Sequence, residues 1–330
     1  MALSQKENAL EIIRFGHPER VVAGLPIHYL AYLGANHEGF DGEGGDCMPV
    51  GSVWSDIWGV VWRSEQEGVM GFPQAHPLPE PGARRDYRWP DPDDERICRR
   101  IYDQRRAFAG GDVFLAGSHR STLWETAYRV IGMENLMMYF YTEPEFVRDV
   151  LRRIMDFQLG VARHYLECGM EMAFCSDDLG TQRGPLLGPK IMREFLMPEY
   201  RRLFELFRSR GVLIEFHSCG CVEEVVGDLM ELGINVLNPV QATANNVANV
   251  RRLTQGRMAL AGGVSTTVIM DGPVERIVLE TRRAMWQLGR EGGYFCRPDQ
   301  SMPFPPAHLR AHQQAVEDYG RYPLTDVGRS

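Results

Sequence analysis

From about residue 112 onward, short apolar runs alternate with longer stretches patterned for helix, and this restricts the fold more than any other feature of the chain. Residues 113–117, 171–175, 212–217, 234–237, 258–261 and 293–296 read as strands. Between them the pattern predicts helices over 143–168, 189–210 (interrupted near Pro198), 222–232, 246–254 and 273–290. Thr142 and Glu145 form the expected capping box of the first of these, with Pro144 at its first position. Val147, Val150, Leu151, Ile154, Val161 and Tyr165 make its apolar stripe. Such a βαβα succession implies a parallel sheet with right-handed crossovers. Two architectures satisfy it: a closed (β/α)8 barrel and an open doubly wound sheet.

Ahead of this region the chain is less regular. Ser4 and Glu7 form a capping box before the apolar Ala9–Ile13 stretch, so the N-terminal segment should be helical. Residues 37–51, rich in glycine and acidic side chains, should form a loop. Residues 71–92 carry Pro73, Pro77, Pro79, Pro81, Pro90 and Pro92, which excludes helix and points to a cap, a lid or a surface connection. The whole chain, residues 1–330, is expected to be a single domain.

Composition narrows the function classes. Hydrophobic content of 44% and charged content of 24% are those of a globular protein. A net charge of −8 and the lack of any basic run argue against a nucleic-acid partner. There is no apolar stretch long enough for a membrane span and no apolar core of a signal peptide near the start. Seven scattered cysteines do not make a disulfide framework, so a reducing cytoplasm is the expected location.

Two predicted strands end on soft metal ligands. His217 and Cys219 stand in Phe216-His217-Ser218-Cys219-Gly220-Cys221, and Cys296 ends Gly293-Tyr294-Phe295-Cys296. One imidazole and two thiolates suit Zn²⁺, and three protein ligands leave a coordination position open for chemistry, where a structural site would take four. The alternative is that both cysteines are buried small hydrophobes and His217 is a satisfied core histidine. The metal reading also bears on the fold. His217 and Cys296 lie on strands separated by two others, about 14 Å apart in a flat sheet, whereas ligands of one zinc approach within about 4 Å. Closure into a barrel would bring them together. No Gly-x-Gly-x-x-Gly follows the early strands, which counts against a dinucleotide-binding sheet.

Other strand ends carry further candidates. Asp177 and Asp178 are adjacent carboxylates that can bind a cation, orient a substrate or exchange protons; alternatively one caps a helix and the other is solvated. Arg183 either clamps an anionic substrate or neutralises them. Glu215 shares a face with His217, one layer deeper, as a support for the metal or a proton acceptor. Asn238 and Gln241 follow the next strand as substrate contacts. Asp56, in Trp54-Ser55-Asp56-Ile57-Trp58, falls in an aromatic segment that could line a substrate pocket, and Trp124, Glu125 and Arg129 are similarly open. Cys47, Cys98, Cys168, Cys175 and Cys221 are read as non-ligands.

Asp177-Asp178-Leu179-Gly180-Thr181-Gln182, His217-Ser218-Cys219-Gly220, Leu237-Asn238-Pro239-Val240-Gln241, Gly262-Gly263-Val264-Ser265 and Tyr319-Gly320-Arg321-Tyr322-Pro323 together resemble the uroporphyrinogen decarboxylase superfamily. The resemblance covers nearly the whole chain and implies a (β/α)8 barrel with its site at the C-terminal mouth and N-terminal helical and Pro-rich extensions. The tetrapyrrole decarboxylases of that superfamily use no metal and carry an arginine-rich N-terminal signature. The corresponding segment here, Gly24-Leu25-Pro26-Ile27-His28-Tyr29-Leu30, has no arginine. The zinc-dependent branch is marked by His-x-Cys and a distant Cys, matched by His217, Cys219 and Cys296. The resemblance therefore implies a zinc enzyme moving a methyl group between a corrinoid (methylcobalamin), carried by a partner corrinoid protein, and a small thiol or O-/N-methyl substrate. The alternatives are a decarboxylase or lyase on the same barrel, using Asp56 or the Asp177–Asp178 pair, and a non-catalytic carrier of metal or tetrapyrrole.

Overall fold

The computed structural model describes residues 2–327. A seven-stranded sheet carries the fold. Its strands are β1 (Ile27–Leu30), β5 (Phe114–His119), β6 (Met172–Ser176), β7 (Leu213–His217), β8 (Val236–Val240), β9 (Ala259–Val264) and β10 (Tyr294–Pro298). They lie in the order β1-β5-β6-β7-β8-β9-β10, with every neighbouring pair parallel. A separate antiparallel sheet joins β2 (Val53–Ser55), β3 (Val61–Arg63) and β4 (Phe72–Ala75). Each strand predicted after residue 112 is present, shifted by one to three residues, and the crossovers are helical.

The seven strands curl. Ile27, Phe114, Ala116, Met172, Leu213, Val236, Ala259, Ala261 and Phe295 point to one interior cluster with Ala9, Ile12 and Ile13 of the N-terminal helix Gln5–Arg14. Side chains from all seven strands could not meet if the sheet were flat, because its edges would lie about 29 Å apart. The expectation of eight paired strands is not met. At the seam between β10 and β1, the chain makes a single isolated parallel bridge, Val22 to Phe295, with the Cys296 N–H donating to Val22 O at 2.9 Å. Ala23, Gly24 and Pro26 come at once after it, and this short turn into β1 leaves no length for a further strand.

The opposite face of the sheet packs under the helices. Ile214, Phe216, Leu237, Leu260 and Cys296 belong to a large apolar cluster with Val147, Val150, Leu151, Ile154, Val161 and Tyr165 of the helix Pro144–Glu167. The predicted stripe of that helix is therefore buried, but its predicted cap does not form. Thr142 ends the preceding helix Met133–Thr142, where its Oγ1 donates to Met138 O at 3.4 Å, and Glu143 takes the cap position without a side-chain bond. The capping box of the N-terminal helix does form: the Glu7 N–H donates to Ser4 Oγ, and the Ser4 N–H to Glu7 Oε2 at 2.8 Å. The interruption near Pro198 is a π-helical turn, Met192–Leu196, where a proline one turn ahead cannot donate to the regular ladder. The proline-rich stretch supplies β4 and a short 3₁₀ turn, Pro81–Arg85, and is pinned by the Leu78 N–H to Val130 O at 2.9 Å. No helix among the described residues is long and apolar enough to cross a membrane.

Candidate metal centre

At the C-terminal edge of the curled sheet, β6 and β7 deliver their last residues side by side, Ser176 paired with His217. Beyond each strand the chain enters a tight loop, and the two loops are stitched together. The Leu179 N–H donates to Ser218 Oγ at 3.0 Å, and the Cys221 N–H to Thr181 O at 2.7 Å. Gly220 has a φ of +82°, and a Cβ there would stand 2.3 Å from the carbonyl of Gly180. Only glycine permits both the left-handed backbone and that approach.

The stitching brings three donor atoms together. Asp178 Oδ1 accepts the Cys219 N–H at 2.8 Å and lies 3.7 Å from His217 Nε2. Cys219 Sγ is 3.4 Å from the same nitrogen. The ligand atoms of Asp178, His217 and Cys219 all lie within 4.8 Å of one another, and among the described residues no other group of three such side chains does so. Burial holds His217 below its ordinary pKa, helped by the positive charges of Arg297 and Arg120 and opposed by Asp178. Burial and the adjacent Asp178 charge push the Cys219 thiol up to about 12. A neutral imidazole is ready to donate its lone pair, whereas a thiol that high stays protonated until a cation displaces the proton. Gln300, just past β10, approaches Cys219 Sγ at 4.0 Å.

Cys296 does not join this cluster. Successive strand residues point to opposite faces, and on β10 it is Phe295 that enters the interior. Cys296 therefore faces outward, fully buried, with Sγ 3.9 Å from Thr281 O on the covering helix Val274–Gly289. Its thiol is pushed up to about 12 by burial. The interior position beside it belongs to Arg297.

The remaining predicted residues separate into groups. Asp177 is a cap rather than a mouth residue. It accepts the N–H groups of Leu123 and Glu125, each at 2.8 Å, and the Tyr200 hydroxyl at 2.6 Å, fixing the start of the helix Trp124–Ile131. Burial, then the charge of Glu125, raises its pKa to about 7 against the pull of those donors. Asp56 lies outside the cluster too, accepting from the Trp58 and Val60 N–H groups and from Trp62 Nε1 at 2.8 Å, which shapes the turn from β2 to β3. Gln241 accepts the Gly220 N–H at 2.9 Å and so holds the loop that carries Cys219. Arg183 is exposed on the neighbouring turn, its side chain without a hydrogen bond or ion pair among the described residues. Glu215 faces inward one layer below His217, as expected: Oε1 accepts from Asn238 Nδ2 at 2.8 Å, and burial raises its pKa to about 7.

Sequence reading missed Arg120, which follows β5, pairs with Asp46 and bonds Asn36 Oδ1 at 3.1 Å, tying the Gly-rich loop to the edge of the site. It also missed Arg297, Tyr29 and Phe174. Period-two counting from Phe295 would have placed Arg297 inside; Tyr29 carried no signal because β1 was not recognised as a strand.

A family model described as uroporphyrinogen decarboxylase (URO-D) matches residues 85–319, which include the loops after β6 and β7. The chain belongs to the uroporphyrinogen decarboxylase family. Among curated proteins, none matches its sequence. Among solved structures, it is similar to a methyltransferase from Methanosarcina mazei, with 16% identity and a TM-score of 0.71 over 96% of this chain and 99% of that one. A B12-independent methionine synthase from Shewanella sp. W3-18-1 is a distant likeness, 10% identical with a TM-score of 0.38 over 67% of this chain and 63% of that one. The first of these shares the fold of this URO-D family chain along nearly its whole length.

Proposed function

We propose that this chain is a methyltransferase of the uroporphyrinogen decarboxylase family, moving a methyl group between a corrinoid and a small thiol or O-/N-methyl substrate. The observation that carries the reading is the meeting of Asp178, His217 and Cys219 at the C-terminal edge of the sheet. The likeness to the Methanosarcina mazei methyltransferase supports it. We read the fold as a variant of the (β/α)8-type barrel with seven paired strands, its seam spanned by the single Val22–Phe295 bridge.

One oxygen, one nitrogen and one sulfur donor at this spacing suit Zn²⁺. Asp178, His217 and Cys219 would hold the ion, with Asp178 in the place that sequence alone assigned to Cys296. Bound there, zinc supplies Lewis acidity, which lowers the pKa of a thiol or stabilises a leaving oxygen. The protein's own groups do the rest. Asp178 presents an oxygen and at the same time fixes Cys219 through its N–H. Gln241 holds Gly220 and so keeps the cysteine loop in place. Arg120 and Gln300 stand at the rim, where substrate would enter. The corrinoid would arrive on a partner protein at this same face.

The test mixes zinc-loaded protein with methylcobalamin and a panel of thiols, and separately with reduced cobalamin and methoxylated or N-methylated donors, while the cobalamin spectrum is followed. Zinc-dependent methylation or demethylation of cobalt is the expected result. No spectral change with any combination, from fully loaded protein and with a corrinoid protein supplied, would overturn it.

The family match favours one second reading, a tetrapyrrole decarboxylase. Against it stand β1, which carries no arginine, and the full engagement of Asp56 and Asp177 in hydrogen bonds that shape loops. A substrate with many carboxylates needs a cluster of guanidinium groups. Formation of coproporphyrinogen from uroporphyrinogen would establish this reading in place of the first.

A further inference from the structure

At the seam of the sheet, where β10 and β1 meet only through the Val22–Phe295 bridge, the wall opens into a cavity of about 310 Å³. Tyr29 of β1, Glu215 of β7 and Arg297 of β10 line it from within, and His312 and Gln313 of the helix Pro306–Tyr319 line it from the outer side. Several of these groups have unused bonding capacity. Glu215 is 2% exposed; its Oε1 is taken by Asn238, but its Oε2 is buried without a partner. His312 Nε2 is also buried without a partner. Among the described residues, neither the Arg297 guanidinium nor the Tyr29 hydroxyl makes a hydrogen bond, and Glu215 and Arg297 form no ion pair.

A buried carboxyl group, once ionised, and a guanidinium facing one cavity attract, since low dielectric amplifies the interaction several-fold over water. Left free, they would close into a fork-shaped ion pair. Here the two line the same cavity without forming an ion pair. Such a cavity suits a molecule that carries the complementary charges at its two ends. A carboxylate fits the planar fork of Arg297. An ammonium fits the free oxygen of Glu215, with the ring of Tyr29, itself packed edge-on against Phe174, as an aromatic wall beside it. The volume lies at the small end of ligand pockets, which suits a molecule of amino-acid size.

We propose that the seam cavity binds a small zwitterion, an amino-acid-like molecule whose carboxylate lies on Arg297 and whose ammonium lies between Glu215 and Tyr29. Glu215 lies on the same face of β7 as His217, one layer deeper, but none of Asp178, His217 and Cys219 lines the cavity; the test is read without turnover, so its failure can be told from that of the methyl-transfer experiment. The test is titration calorimetry on the full chain, zinc-loaded and zinc-stripped. The probes are the standard amino acids and their N-methylated forms, each set against the matched acid lacking the amine and the matched amine lacking the acid. At least one zwitterion should bind about tenfold or more tighter than either single-charge analogue, with and without zinc. Arg297→Gln and Glu215→Gln, folded as judged by circular dichroism, should each weaken that binding by about 10- to 100-fold. Absence of binding by every zwitterion at millimolar concentration would overturn the proposal. So would equal affinity for the single-charge analogues, or undiminished binding by Arg297→Gln.

Discussion

Replacing Asp178 by asparagine separates the two possible ligand sets of this chain. The amide oxygen still accepts the Cys219 N–H now held at 2.8 Å, so the loop should keep its shape. The anionic ligand oxygen 3.7 Å from His217 Nε2 is lost. Zinc bound through four ligands is worth roughly 10–16 kcal/mol at neutral pH, or roughly 3 kcal/mol for each ligand. At 1.4 kcal/mol per decade, Asp178→Asn should weaken zinc by about 10²-fold. Cys296→Ser is the counterpart. Its sulfur lies 3.9 Å from Thr281 O on the outer face of β10, away from His217 and Cys219, so zinc affinity should be unchanged. The cost there is one of stability, about 1–2 kcal/mol for a hydroxyl placed in an apolar layer. The assay is competition against a chromophoric zinc chelator, backed by elemental analysis after dialysis. Loss of zinc by Cys296→Ser, with full retention by Asp178→Asn, would refute the ligand set and restore the one read from sequence.

Asp177→Ala should lower stability by at least about 3 kcal/mol, because two backbone N–H groups and the Tyr200 hydroxyl lose their acceptor in a buried setting; a loss below about 1 kcal/mol in denaturant titration would contradict the capping role. Gly220→Ala forces a left-handed residue against the Gly180 carbonyl, 2.3 Å from the new Cβ, and should reduce both the melting temperature and zinc affinity; native values for both would show that the loops can separate. Glu215 has an ordinary pKa of 4.5 and is raised to about 7 in the fold, so the folded state keeps a proton that the unfolded chain has already released. Its contribution is therefore full below about pH 4.5 and declines as pH rises through about 7, by roughly 3 kcal/mol at most. Zinc-free Glu215→Gln should flatten that part of the stability profile, and a slope equal to that of the native protein would count against a buried, proton-holding Glu215.

The alternation of strand and helix after residue 112 was readable because each crossover helix needs an apolar stripe and each strand an apolar run, and both are local patterns. What escaped were the elements with short or atypical runs. β1 has four residues and is half-exposed, and β2 to β4 are short and interrupted by Trp62 pairing across a bulge with Pro73. The capping box assigned to Thr142 failed because Thr142 was already committed to the end of the helix before it. Pattern alone does not rank two helices that compete for one residue.

His217, Cys219 and the pair Asp177–Asp178 were legible as a site because polar, metal-binding side chains at strand ends have few other reasons to be there. The inward direction of Glu215 came from its register with His217. Which aspartate met the imidazole was decided only by tertiary structure, since adjacent residues leave a strand in opposite directions: Asp177 turned toward the buried helix start and Asp178 toward the mouth. The face of Cys296 was decided in the same way. A parallel sheet buries both of its faces, so Tyr294, Phe295 and Cys296 are all apolar enough for either side, and no local pattern tells in from out. The sequence by itself determined the family, the parallel sheet and the neighbourhood of the chemistry. The donor that joins His217 and Cys219, and the seam cavity, depended on how the sheet curls and where its two edges fail to pair, and those are properties of residues far apart in the chain.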